Sequence, residues 1–151
     1  MQMRLGESLR FTLFGTSHGP KVGAFLEGVP KGIKINRDLI QKAMDERKPG
    51  GKYASKRKEP DNVEILSGIK DEMTTGEIVE ISIKNSDVRS TDYSFLPDHP
   101  RPGHQDMVMM KRTKGEADLR GGGTSSARLT APIVAAAAII EPILSKLGIK
   151  F

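Results

Sequence analysis

The 151-residue sequence has no cysteine and no tryptophan. Without cysteine there can be no disulfide, no thiol nucleophile and no thiolate metal ligand, which fits a reducing cytoplasm. Aromatic residues are only 5% of the chain. That is too few for the stacking surfaces that accompany a basic groove for single-stranded nucleic acid, so no nucleic-acid partner is expected. Long apolar runs are missing too. The longest, residues 131–140, is far short of the ~20 residues a membrane span needs. Residues 1–5 lack an apolar core behind a basic stretch, so neither a secretory signal nor a membrane partner is expected. Only three histidines occur, His18, His99 and His104, and none forms a His-x-x-x-His pair. The acidic residues do not form a calcium loop either, so no metal centre is expected. Neither the Gly-x-x-x-x-Gly-Lys-Ser/Thr nucleotide loop nor the Gly-x-Gly-x-x-Gly fingerprint is present.

What the chain does have is positive charge and glycine. Lys and Arg number 24 against 19 Asp and Glu, giving a net charge of +5. Such a balance favours an anionic partner. The stretch Arg120-Gly121-Gly122-Gly123-Thr124-Ser125-Ser126-Ala127-Arg128 removes three side chains in a row, then supplies hydroxyls and a cation ahead of an alanine-rich helical segment. Bare backbone next to a helix N-terminus is a natural phosphate cradle. The bland alternative is a flexible linker.

Taken in order, residues 9–15 alternate early, and residues 22–26 resume an apolar run after Gly15-Thr16-Ser17-His18-Gly19-Pro20. This reads as an antiparallel hairpin with His18 at its turn. Asn36 is a candidate N-cap for a helix over residues 37–48, ended by Pro49-Gly50-Gly51. Residues 63–69 and 77–83 read as two more strands with a turn at Thr74-Thr75-Gly76. Residues 85–102 have no period, and a long polar loop in a compact domain is usually functional. Residues 104–114 look helical, with Met107, Met109 and Met110 as soft apolar bulk. The final helix is disturbed by Pro132 and Pro142. Pro132 sits either in its opening turn or at a kink. Residues 133–140 are apolar on all sides, which predicts burial on all sides and a partner surface beyond the elements counted so far. The expected class is α+β: an antiparallel sheet of about four strands packed on helices.

Histidine is the natural acid or base near neutral pH. His18 and His104 both lie on glycine-flanked loops, whereas His99 reads as a surface residue. Three segments in order, Phe14-Gly15-Thr16-Ser17-His18-Gly19-Pro20, Arg101-Pro102-Gly103-His104-Gln105-Asp106 and the 120–128 stretch, resemble the N-terminal signatures of the chorismate synthase family. Gly28-Val29-Pro30-Lys31-Gly32, Arg57-Lys58-Glu59-Pro60-Asp61 and Arg89-Ser90-Thr91-Asp92-Tyr93-Ser94 are similar as well.

The resemblance implies a lyase that converts 5-enolpyruvylshikimate 3-phosphate, a phosphorylated dicarboxylate, to chorismate by anti-1,4-elimination of phosphate, in aromatic amino acid biosynthesis. It implies a cytoplasmic flavoprotein that needs reduced FMN, is linked to NADP, and assembles as a homotetramer of β-α-β sandwiches. It implies His18 and His104 as catalytic residues and Thr124, Ser125 and Ser126 as flavin contacts. Arg47, Lys52 and Arg128 are implied as substrate-binding cations. Thr16 stands where the family usually has glutamate, and Thr124 where it usually has arginine. The family's chains are more than twice as long, so residues 1–151 read as an N-terminal half without its C-terminal half, and as inactive alone. The alternative is a non-catalytic anion-binding or assembly module derived from the same fold.

Overall fold

The computed structural model describes residues 3–48 and 59–149. Its elements are β1 (Met3–Leu5), β2 (Arg10–Gly15), β3 (Lys21–Glu27), α1 (Arg37–Arg47), β4 (Val63–Ile65), β5 (Ile69–Lys70), β6 (Met73–Thr74), β7 (Val79–Lys84), α2 (Asp106–Arg112) and α3 (Thr130–Lys146). Three 3-10 turns lie at Ser90–Tyr93, Arg120–Ser125 and Ala127–Leu129. The class is α+β. Five strands form one antiparallel sheet in the order β1-β2-β3-β7-β4, and β5-β6 form a small separate ribbon.

The expected hairpin is β2–β3, with Leu13 opposite Ala24 and Gly15 opposite Val22. Because strand side chains alternate between faces, the register puts Leu13, Ala24 and Ile81 in one row across three strands. Val22, Leu26, Val79, Ile81 and Ile83 on this face are fully buried. The helices α1 and α3 pack on each other, and α3 lies over β3 and β7. Asn36 caps α1, its side chain accepting from the backbone N–H of Asp38 and Leu39. Ile40 and Met44, one turn apart, supply its buried stripe.

Four details differ from the sequence expectation. Strand β1 adds an edge that three residues without a period could not announce. The expected strand over 63–69 is divided into β4 and β5 by Gly68, whose φ is +76° and whose missing Cβ would lie 2.6 Å from the Ile78 carbonyl oxygen. Thr74, expected in a turn, belongs to β6, and its hydroxyl accepts from the Ile33 N–H. Finally, α3 is not buried all round. Ala131, Pro132, Ala135, Ala136 and Ile139 face the core, while Ile133 is 44% exposed.

Pro132 sits in the first turn of α3, where a missing N–H leaves no helical bond unmade. Pro142 lies inside the helix, which continues to Lys146. By length and composition alone, residues 120–146 could cross a membrane. Only 17 of them are α-helix, a rise of about 26 Å, and their buried face rests on the sheet.

Candidate active site

Three separate stretches of chain meet at one end of the sheet. The β2–β3 turn brings Ser17 and His18. The Arg101–Asp106 loop brings His104. The 3-10 turn at Arg120–Ser125 brings the glycines. All three glycines have positive φ, +58° at Gly121, +91° at Gly122 and +55° at Gly123, a region closed to most side chains. Gly121 lies flat against His18: a Cβ there would be 2.2 Å from Cε1 and 2.4 Å from Nδ1 of the imidazole. Gly122 faces the other histidine, with His104 Cε1 4.0 Å from its ideal Cβ position. Adjacent glycines of one run therefore meet His18 and His104 with backbone alone.

Hydrogen bonds hold this arrangement. The Ser17 N–H donates to the Gly123 carbonyl (3.2 Å), and Gln105 Nε2 donates to the Gly122 carbonyl. Ser17 is fully buried. Its hydroxyl lies 3.1 Å from the Arg120 carbonyl oxygen and 3.2 Å from that of Gly121, and it also lies 3.1 Å from His18 Nδ1. Ser17 Oγ thus stands between two carbonyl acceptors and the His18 imidazole. The ring also meets Tyr93 edge-on at 4.8 Å.

His104, with 35% of its side chain exposed, places Nδ1 2.7 Å from Asp106 Oδ1. Arg101 donates to Asp106 through Nε and Nη2, each at 2.8 Å, and through its backbone N–H at 3.0 Å. Arg101 comes first among the causes that hold the Asp106 carboxyl well below the usual carboxylate range, despite complete burial. Asp118 is lowered as well, mainly by Arg120, which donates to both of its oxygens, with Thr16 Oγ1 at 3.1 Å helping.

These two carboxylates give the molecule an acid-labile contribution to stability. Their folded values lie below their unfolded ones, so the unfolded chain binds more protons in between and stability rises with pH there. The contribution is complete above about pH 4, the ordinary carboxylate value, and is lost as pH falls below it. Asp118→Asn should flatten this part of the curve of urea midpoint against pH. An unchanged slope would rule the attribution out.

The arginines expected from the sequence lie deeper. Arg128 has 4% of its side chain exposed. Its Nη1 donates to Asp61, Nε to Asn85 Oδ1 (2.8 Å) and Nη2 to the Lys84 carbonyl (3.1 Å), with Glu59 at 4.0 Å. Arg47 shares the same aspartate, its Nη2 donating to Asp61 Oδ2 at 2.8 Å, and its Nη1 reaches Thr130 Oγ1. Arg47 Nε is buried with no partner among the described residues. Asn85 ties this cluster to the His18 turn: its Nδ2 donates to the carbonyls of Thr16 (3.1 Å) and Gly19 (2.7 Å), on either side of His18.

The expected flavin contacts follow the glycines directly. Thr124 Oγ1 is buried without a partner among the described residues. Ser125 is exposed. The Ser126 hydroxyl accepts from the Arg128 N–H and caps the next 3-10 turn. Lys52 lies outside the described residues, and His99 is exposed. Among the described residues, no acidic or histidine cluster could hold a metal.

Sequence reasoning missed Asp61, Asn85, Asp106 as a partner, and Asp118. Asp61 was readable only as the end of the Arg57–Asp61 segment similar to the family, with no role attached. Asn85 carried no signal beyond opening the loop after β7.

The whole chain can be compared with known proteins. A family model described as chorismate synthase matches residues 9–151. The chorismate synthase of Aeropyrum pernix is 46% identical over 146 residues, 97% of this chain and 38% of that protein. The one from Aliarcobacter butzleri is 50% identical over 145 residues, 95% of this chain and 40% of its own length. A solved crystal structure of a chorismate synthase aligns with TM-score 0.65 at 29% identity, covering 94% of this chain and 36% of that one. The chain thus spans about two fifths of the length of the relatives it matches. With the family model running through the hairpin turn, the His104 loop and the glycine run alike, the chain belongs to the chorismate synthase family.

Proposed function

We propose that this chain contributes His18, His104 and the glycine-run wall to a lyase site that eliminates phosphate from 5-enolpyruvylshikimate 3-phosphate to give chorismate. The observation that carries this reading is the pair of histidines brought against adjacent glycines of one side-chain-free turn, in a chain of this family. The elimination needs a proton for the departing phosphate and neutralisation of its charge. His104, solvent-open and backed by a carboxylate, is placed to give that proton. His18, against Gly121 of the same run, serves proton transfer.

Reduced FMN fits the residues present. Thr124 offers a buried hydroxyl with no partner among the described residues, Ser125 an exposed one, and Gly121–Gly123 offer backbone with no side chain in the way. Thr124, Ser125 and Ser126 would hold it, and when bound it would lend electron density while phosphate leaves. Arg47 retains an Nε with no partner among the described residues for the anionic substrate. Arg128, sealed against Asp61 and Asn85, holds the frame that positions the His18 turn. The phosphorylated dicarboxylate substrate, a cytoplasmic location and a homotetramer belong to the same reading.

Titration with oxidised FMN tests it. The chain should bind flavin, and Thr124→Val should weaken binding about five-fold, the worth of one hydrogen bond of about 1 kcal/mol. The same substitution should raise stability of the flavin-free chain by about 1 kcal/mol, because it removes a buried hydroxyl that lacks a partner. Flavin affinity indifferent to Thr124 would sink the assignment. The chain alone is expected not to turn over substrate with reduced FMN, since its relatives carry more than half of their length beyond the matched part. Turnover by the 151-residue chain would overturn that.

A second reading is a non-catalytic anion-binding or assembly module, and the pairing of Arg47, Arg101, Arg120 and Arg128 each with an aspartate favours assembly within it. Absence of flavin binding would favour it.

A further inference from the structure

We infer that Asp106, clamped by Arg101, is a positioning residue that fixes His104 with its hydrogen on Nδ1, so that Nε2 is the nitrogen that exchanges a proton with a ligand. The inference deepens the reading of His104 as the proton donor and rests on it for its functional meaning, but not for its test.

The geometry leaves Asp106 no other arrangement. The side chain is fully buried in the first turn of α2. Oδ2 receives the Arg101 N–H and Nε, while Oδ1 receives Arg101 Nη2. A carboxylate so surrounded by donors is ionised and can only accept. The remaining contact, His104 Nδ1 at 2.7 Å from Oδ1, must then be a hydrogen bond donated by the imidazole.

Arg101 is itself immobilised. Its Nη2 also donates to the Leu119 carbonyl (3.0 Å), and its guanidinium lies over the Tyr93 ring, 5.4 Å from the centroid. Tyr93 in turn meets His18. The other charged groups nearby, Asp118 and Arg120, are paired with each other. A charged His104 carries hydrogen on both nitrogens. The one on Nδ1 is held by the carboxylate, so the proton that leaves is on Nε2, and the neutral ring left behind is already the tautomer that Asp106 stabilises.

Asparagine reverses the pattern. In Asp106→Asn the single amide oxygen belongs where two Arg101 donors converge, which turns the NH2 group toward His104. Nδ1 must then accept, and the hydrogen moves to Nε2. Arg101→Lys leaves the carboxylate in place and should not move it.

Two-bond proton–nitrogen correlations on the 15N-labelled chain, at about pH 9, above the ordinary imidazole range, read the protonated nitrogen directly. The native chain and Arg101→Lys should show His104 protonated on Nδ1, and Asp106→Asn on Nε2. Hydrogen on Nε2 in the native chain, an even spread over both nitrogens, or a flip in Arg101→Lys would overturn the inference. If Asp106→Asn does not fold, the native chain and Arg101→Lys still decide. The readout needs neither flavin nor turnover. A chain with the expected tautomer and no flavin affinity would therefore remove the proposed chemistry and leave the positioning intact.

Discussion

Asp61→Asn should lower folding stability by about 3–5 kcal/mol, the usual cost of removing one partner from a buried charge network. Asp61 is 1% exposed and accepts from both Arg47 and Arg128. Asparagine keeps the volume. It also tolerates the left-handed backbone found there, φ +54°, as readily as aspartate does. The substitution thus isolates the charge. Two guanidiniums would be left in a space with 4% and 18% side-chain exposure, and the amide NH2 would point a donor at one of them. Against a typical total of about 5–15 kcal/mol, the loss is a large fraction. Urea unfolding measures it. A change below about 1 kcal/mol would show that the pair contributes little beyond its replacement by neutral groups. The loss should also reach the His18 turn, because Arg128 orients Asn85, and Asn85 holds the carbonyls beside His18.

Gly121→Ala should disrupt the site at its centre. Two effects combine. Alanine at φ +58° costs about 1–2 kcal/mol in backbone strain. Its methyl would also collide with His18 Cε1 and Nδ1, and would lie 2.9 Å from the buried Ser17 hydroxyl. Ser17 cannot retreat without breaking its bonds to the glycine carbonyls, so the imidazole must move, which disturbs its edge contact with Tyr93. Gly122→Ala separates the two effects. Its φ is also positive, but its Cβ would meet nothing nearer than Ser126 Cβ at 3.6 Å. The expected result is a displaced His18 ring signal and lost flavin affinity in Gly121→Ala. Gly122→Ala should keep His18 in place at a similar backbone cost. Identical His18 and Tyr93 spectra in the two variants would refute the steric account.

The sequence was most informative where local chemistry decides. The β2–β3 hairpin is legible because alternation and the Gly15–Pro20 turn agree. The helix α1 is legible because Asn36 both ends the extended chain and caps the helix. Strand β1 is not, because its pairing with β2 is the only thing that makes it a strand. Gly68 could be read only as the end of a strand, since what fixes it is the Ile78 carbonyl, ten residues away. Within the site, the histidines and glycines stand out because loops present chemistry and glycine marks close approach. Their partners do not. Asp61, Asn85 and Asp118 are ordinary polar residues until tertiary contact gives each a specific arginine or carbonyl, and no spacing rule anticipates such contacts. Arg128 shows the converse, a residue whose motif points to a ligand and whose surroundings point to the frame.

The bonds that close the candidate site join residues far apart in sequence: Ser17 to Arg120, 103 positions away, and Thr16 to Asp118, 102 away. Closing a loop of roughly a hundred residues costs about 4 kcal/mol of chain entropy, whereas the β2–β3 turn closes over a handful. The hairpin can therefore persist while the glycine run lifts off it. Folding should form the β2–β3 hairpin before the glycine run docks on it, and thermal opening should follow the reverse sequence. The two histidines would then come together only after the hairpin has formed, so that a chain holding the hairpin alone does not carry an assembled site.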